Sequence, residues 1–129
     1  MIGRIVIDTN VYAAFKMNDP RVTGRLRTAE QIALSPVVMA ELLAGFRGGD
    51  RESDDRSALQ QFLASPRVVL LSIDRDTAEH YAAAYTALRR KGKPIPTNDL
   101  WIAASALQHG MGLCSLDGHF AEIDGLITV

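Results

Sequence analysis

The sequence predicts an α/β fold: a central parallel sheet of four to five strands between helices, an α/β/α sandwich, in a single domain spanning residues 1–129. Three observations carry this. Short β-branched runs such as Ile5-Val6-Ile7 read as strands buried on both faces, the habit of parallel strands. Between these runs lie stretches with helical spacing and helix-start residues, so strand and helix alternate as right-handed crossovers require. Composition agrees, since 47% apolar and 22% charged residues place the chain among folded globular domains and away from disordered ones.

The first strand stops at Asp8-Thr9-Asn10, all capping types, and a helix is expected from about Asn10 to Met17. Gln31–Leu34 is the second strand. Ser35 as N-cap and Pro36 at the first helical position then open a helix through Val37–Phe46 that Gly48-Gly49 closes. The polar, Gly-rich stretch Gly48–Asp55 reads as a loop, and Arg56–Leu63 as a helix broken by Pro66. Val68–Leu71 is the third strand. Asp76-Thr77-Ala78-Glu79 has capping-box-like spacing at the head of a long helix reaching about Arg90, with Tyr81, Ala84, Tyr85 and Leu88 on one face. Lys91–Thr97 holds one Gly and two Pro and reads as a loop. Asn98-Asp99 opens a helix over Leu100–Gln108 that Gly110 caps, followed by strands at Leu113–Ser115 and Leu126–Thr128.

Charge and cysteine usage exclude several classes. With 14 Lys and Arg against 15 Asp and Glu the net charge is −1, so contact with nucleic acid must rest on a local patch. The lone Cys114 cannot form an internal bridge, which fits an intracellular setting. Met1–Asp8 lacks a charged segment leading into an apolar one, and Leu100–Leu107 falls well short of the ~20 apolar residues that span a bilayer. A cytoplasmic protein without membrane contact is expected.

Ligands of open α/β sheets bind beyond the carboxyl ends of the strands, and four acids fall there. Asp8 ends the first strand, Glu41 lies in the helix after the second, Asp99 opens the helix before the fourth strand, and Asp117 follows that strand by two residues. Three of them also have purely structural readings. Asp8 can cap the next helix, Asp99 can sit in the helix dipole, and Asp117-Gly118 is a common turn dipeptide. Glu41 is different. Its helical neighbours Val37, Val38, Ala44 and Gly45 offer no cation, and a carboxylate on an apolar face needs a partner. A divalent cation meets that need, because Mg²⁺ and Mn²⁺ take carboxylate oxygens.

These blocks resemble the PIN-domain ribonucleases, and within them the VapC-like toxins of toxin–antitoxin modules. Ile5-Val6-Ile7-Asp8-Thr9-Asn10 is similar to the family's opening strand, Ser35–Leu42 to its Ser-x5-Glu-Leu segment, Pro96–Ala104 to its Asp-led helix, and Ser115–Phe120 to its Ser/Thr-x-Asp-x-x-Phe ending. The resemblance spans essentially the whole chain. It implies that Asp8, Glu41, Asp99 and Asp117 form a catalytic quartet binding Mg²⁺ or Mn²⁺, with Thr9, Asn10 and Ser115 orienting carboxylates or water. It also implies hydrolysis of RNA phosphodiesters by a metal-activated water, a cognate antitoxin protein as inhibitor, and a homodimer.

Other polar residues carry less. His80, His109 and His119 are not spaced as metal ligands, although His119 neighbours Asp117. Trp101 reads as core or as a base-stacking platform, and Arg89-Arg90-Lys91 with Lys93 as a solvated helix end or a phosphate guide. Val11, Tyr12 and Phe15 beside Asp8 read as core or as the wall of an antitoxin groove. The rival from another class is a receiver-like Mg²⁺-binding signalling or binding module without nuclease activity. Such a module needs a Lys after its last core strand, and the last Lys here is Lys93. A haloacid-dehalogenase-type phosphatase wants a second carboxylate where Asn10 stands.

Overall fold

The computed structural model describes residues 3–129; Met1 and Ile2, which begin the stretch read for a leader, lie outside the described residues. The elements run β1 (Arg4–Ile7), α1 (Thr9–Lys16), α2 (Pro20–Thr28), β2 (Gln31–Leu34), α3 (Pro36–Gly48), α4 (Glu52–Leu63), β3 (Val68–Leu70), α5 (Arg75–Lys91), α6 (Thr97–His109) and β4 (Gly112–Cys114), then a 3₁₀ turn at Gly118–Glu122. All sheet pairings are parallel and the strand order is β3-β2-β1-β4. β1 therefore lies inside the sheet. Its Ile5, Val6 and Ile7 point alternately to opposite faces yet all are 0% exposed, so helices cover both faces, as the continuous apolar run predicts.

The helix-start chemistry is visible atom by atom. Ser35 Oγ accepts from the Val37 N–H at 3.1 Å with Pro36 in the first turn, and Asp8 Oδ1 accepts from the Val11 N–H at 3.0 Å. Gly92 and Gly110 end α5 and α6 in the left-handed conformation, φ +70° and +63°. No described helix is long and apolar enough to cross a membrane.

The structure departs from the sequence expectations in five places. An unexpected helix, α2, follows α1. Asp19 Oδ1 accepts from the Arg21 N–H at 2.9 Å, and Arg67 Nη1 closes the other end by donating to the carbonyls of Leu26 and Ala29. The expected loop Gly48–Asp55 ends early, because Glu52, Asp54 and Asp55 form the first turn of α4, where the helix dipole favours acids. The cap of α5 is Asp74, two residues before the expected box. Asp74 Oδ1 accepts from the Thr77 N–H at 3.1 Å while the Asp74 N–H donates to Thr77 Oγ1 at 3.0 Å. Asn98 and Asp99 lie within the first turn of α6, which starts at Thr97. The expected fifth strand contributes a single parallel bridge, Leu113 to Thr128, so the sheet has four strands with the C-terminal segment laid along β4.

Candidate active site

The parallel sheet sends the carboxyl ends of β1 and β4 to one edge, and Asp8 and Ser115 directly follow those strands. Ser115 Oγ donates to Asp8 Oδ2 at 2.6 Å and accepts from the Asp117 N–H at 3.0 Å. One hydroxyl thereby sets two acids. Asp117 in turn accepts from the His119 N–H at 3.2 Å and caps the 3₁₀ turn.

Glu41, in the second turn of α3, is held by both oxygens. Thr9 Oγ1 donates to Oε1 at 2.8 Å and Asn98 Nδ2 donates to Oε2 at 3.0 Å. Its two donors are the residue after Asp8 and the residue before Asp99, so the backbone turns that place those acids also orient Glu41. None of the four acids forms an ion pair with Lys or Arg among the described residues, as the bare apolar flank of α3 implied.

The basic side chain nearby is a histidine. His119 lies with Nδ1 3.0 Å from Asp117 Oδ1 and Nε2 3.0 Å from Asp99 Oδ2. Nε2 is buried and off the line of a hydrogen bond to that oxygen, so the contact with Asp99 is one of charge rather than of a directed bond.

The electrostatics identify a crowded anionic site. Burial pushes the Asp8 carboxyl, 6% exposed, above its ordinary range; bonds from Ser115 and Val11 oppose this, and the charges of Asp117 and Glu41 add to it. Burial likewise raises Asp99, with His119 opposing and Glu41, Asp8 and Asp117 reinforcing. Four carboxylates from positions 8, 41, 99 and 117 thus feel one another.

Hard carboxylate oxygens and uncompensated negative charge are the donor chemistry of a divalent cation. As placed, no three His, Cys, Asp or Glu side chains among the described residues close around a single point, and His119 stands between Asp99 and Asp117 instead. The donor set therefore fits an ion, with the His119 ring as the neighbour that must give way.

Of the sequence-predicted residues, Asp8, Glu41, Asp99, Asp117, Thr9 and Ser115 come together. Asn10 does not: it is exposed on α1 and makes no described hydrogen bond to the four acids. Two participants were missed, Asn98 and His119. Each stands within two residues of a quartet acid, which is the signal that marks them.

Fold and acid cluster together define a class. The chain belongs to the PIN-domain family, which it matches over residues 5–126. Its relatives include ribonuclease VapC2 of Rickettsia felis, 32% identical over 127 residues that cover 95% of this chain and 93% of the relative. Among solved structures, VapBC2 from Rickettsia felis bound to a DNA fragment from its promoter superimposes with TM-score 0.87 at 26% identity, over 98% of this chain and 97% of that one. VapBC-5 from Mycobacterium tuberculosis, a member of the VapBC family of toxin–antitoxin systems, does so with TM-score 0.75 at 27% identity, over 98% and 99%.

Proposed function

We propose that this chain is a metal-dependent endoribonuclease and the toxin of a toxin–antitoxin pair, acting on RNA in the cytoplasm. The meeting of Asp8, Glu41, Asp99 and Asp117 at one sheet edge without a Lys or Arg carries the reading. Two polyanions, an acidic site and a phosphodiester, cannot approach each other without a cation between them. The VapC ribonucleases and the toxin–antitoxin complexes among the relatives support the same assignment.

We assign the ion to Mg²⁺ or Mn²⁺, held by Asp8 and Asp99 with Asp117 and Glu41 completing the set. Such an ion supplies a Lewis acid that makes water easier to deprotonate and offsets charge on the phosphoryl oxygens. The chain's own residues do the rest. Ser115 fixes Asp8, Thr9 and Asn98 fix Glu41, and a carboxylate oxygen of Glu41 or Asp99 accepts the proton of the attacking water. A receiver-like module would need a Lys beyond β4 to hold a phosphoryl group, and the last Lys, Lys93, lies before α6 and faces Glu122.

The antitoxin surface we assign is the apolar groove of about 250 Å³ lined by Tyr12, Met17, Leu42 and Phe46. Val11, read from sequence as part of its wall, is instead fully buried core.

The purified chain should cut RNA in Mn²⁺ or Mg²⁺ and stop in excess EDTA, and Asp99→Asn should lose at least about 100-fold in rate. Undiminished cleavage in EDTA would overturn the metal mechanism.

A further inference from the structure

Beyond the acid site, α5 and α6 carry a row of planar groups that the hydrolytic chemistry does not use. Trp101 stacks on Tyr81 with ring centroids 4.3 Å apart and 27° between planes. Tyr81 continues to Tyr85 at 6.1 Å and 14°, and the Arg89 guanidinium covers the Tyr85 ring at 5.5 Å. The spacing of Tyr81, Tyr85 and Arg89 is four residues each, one face of a single helix.

The row leads to the acid edge. α5 and α6 are antiparallel, because Gln108 near the end of α6 donates to Asp74 at the start of α5 at 2.9 Å. The last turn of α5 therefore lies beside the first turn of α6, which carries Asp99. Lys91 in that last turn donates to the Glu122 carbonyl and to Asp124, in the segment that follows Asp117. Trp101 stands one turn after Asn98 on the same face of α6, and Asn98 holds Glu41.

Charge is graded along the same helix. Asp76 and Glu79 lie with Arg75 at the start of α5, away from the acids, and Arg89 and Arg90 at its end, where no acid of the helix offsets them. Lys91 and Lys93 are occupied by Asp124 and Glu122, whereas Arg89 binds only the Tyr85 hydroxyl, at 2.9 Å, among the described contacts. Tyr85 is 38% exposed, a large aromatic surface that folding leaves open to solvent. An exposed ring beside a guanidinium that forms no ion pair among the described residues is the chemistry that binds single-stranded nucleic acid, bases on the planes and phosphates on the cation.

We infer that the Trp101–Tyr81–Tyr85–Arg89 row is a binding track for the single-stranded part of the RNA substrate that flanks the bond to be cut. The track rests on the ribonuclease reading and adds to it the side chains that hold the strand beside the acid edge. A base enters at the open end, against the Arg89 guanidinium and the exposed edge of Tyr85, since Tyr81 lies between Trp101 and Tyr85 and the Tyr85 ring lies between Tyr81 and Arg89.

The test uses the full chain in EDTA, where RNA stays intact, with labelled oligoadenylate as probe. Affinity is read by anisotropy. Tyr85→Ala should bind about tenfold more weakly, Tyr85→Phe near wild type, and Arg89→Met more weakly with a shallower salt dependence. Oligoadenylate should bind more tightly than the same strand paired to oligouridylate, whose bases have no free face. Equal affinity of Tyr85→Ala and wild type, with cleavage in Mn²⁺ intact, overturns the track and leaves the nuclease standing. A wild type that neither cuts RNA in Mn²⁺ nor binds it in EDTA overturns both. If gel filtration shows a wild-type dimer that Tyr85→Ala dissociates while RNA affinity is unchanged, the face is a self-interface and the track is overturned.

Discussion

Ser115 gives its hydroxyl hydrogen to Asp8 Oδ2 at 2.6 Å, joining the ends of two neighbouring strands across 107 positions of sequence. Ser115 Oγ also accepts from the Asp117 N–H, so Ser115→Ala removes one charged bond and leaves one amide without its acceptor. The expected loss is about 1.5–3 kcal/mol of stability in urea melts, with divalent-ion affinity falling as Asp8 becomes harder to ionise. Unchanged affinity in calorimetric titration would show that Asp8 does not need the serine.

Asp8→Asn should reverse part of the protein's pH dependence. In the folded state Asp8 ionises above its ordinary value of 3.8, so between 3.8 and the raised value the folded form holds more protons than the unfolded form. The stability that this group contributes is present at lower pH and lost as pH rises through that window. Asn keeps one oxygen, which can accept from Val11, its amide nitrogen can donate to Ser115 Oγ in place of the bond Asp8 accepts, and it has no charge to bury. The gap in stability between Asp8→Asn and wild type, measured in EDTA, should widen in favour of the variant as pH climbs from about 4 to 7. A gap that stays constant would mean that Asp8 is not perturbed.

Glu41→Gln separates a structural carboxylate from a functional one. The Gln oxygen can still accept from Thr9, whereas its amide meets the Asn98 amide donor to donor, a loss offset by weaker repulsion in the acid cluster. Metal-free stability should stay within about 1 kcal/mol of wild type. Mn²⁺ near ten times Kd should add about 1.4 kcal/mol to the wild type and clearly less to the variant. Melts of both proteins in EDTA and in Mn²⁺ read the pair of values, and an equal gain from Mn²⁺ would take Glu41 out of the site.

How far the sequence reveals this arrangement depends on whether the cause is local. β1 and the Ser35-Pro36 opening of α3 are legible because burial on both faces and cap chemistry are written in adjacent residues. α2 is not, although Asp19-Pro20 repeats the same cap and proline pattern. Its inward face is chiefly Val22 and Leu26 among arginines and Gly24, too short an apolar stripe to register. Asp8, Asp99 and Asp117 are legible as strand-end and helix-start residues, and Glu41 as a carboxylate on an apolar helix flank. The Asn98 amide that holds Glu41 from 57 positions away, and the placement of His119 against Asp99, arise only when α3, α6 and β4 converge.

His119→Gln probes the ring between Asp99 and Asp117. Removing it frees both carboxylates for an incoming ion, so Mn²⁺ affinity measured without RNA should rise severalfold. Weaker Mn²⁺ binding by the variant would make His119 a partner of the ion and not its competitor.

The parallel pairing of β1 with β4 has a consequence for the timing of activity during synthesis. Asp8 and Glu41 leave the ribosome early, and the β1–β2 pair can form as soon as Leu34 is out. Until Gly112–Cys114 dock against Ile5–Ile7, Asp8 lacks Ser115, Asp117 has no frame, and His119 has nothing to span. A ribosome still translating the chain therefore carries an incomplete acid cluster next to its own messenger, and a product broken off before residue 117 lacks one of the four acids altogether.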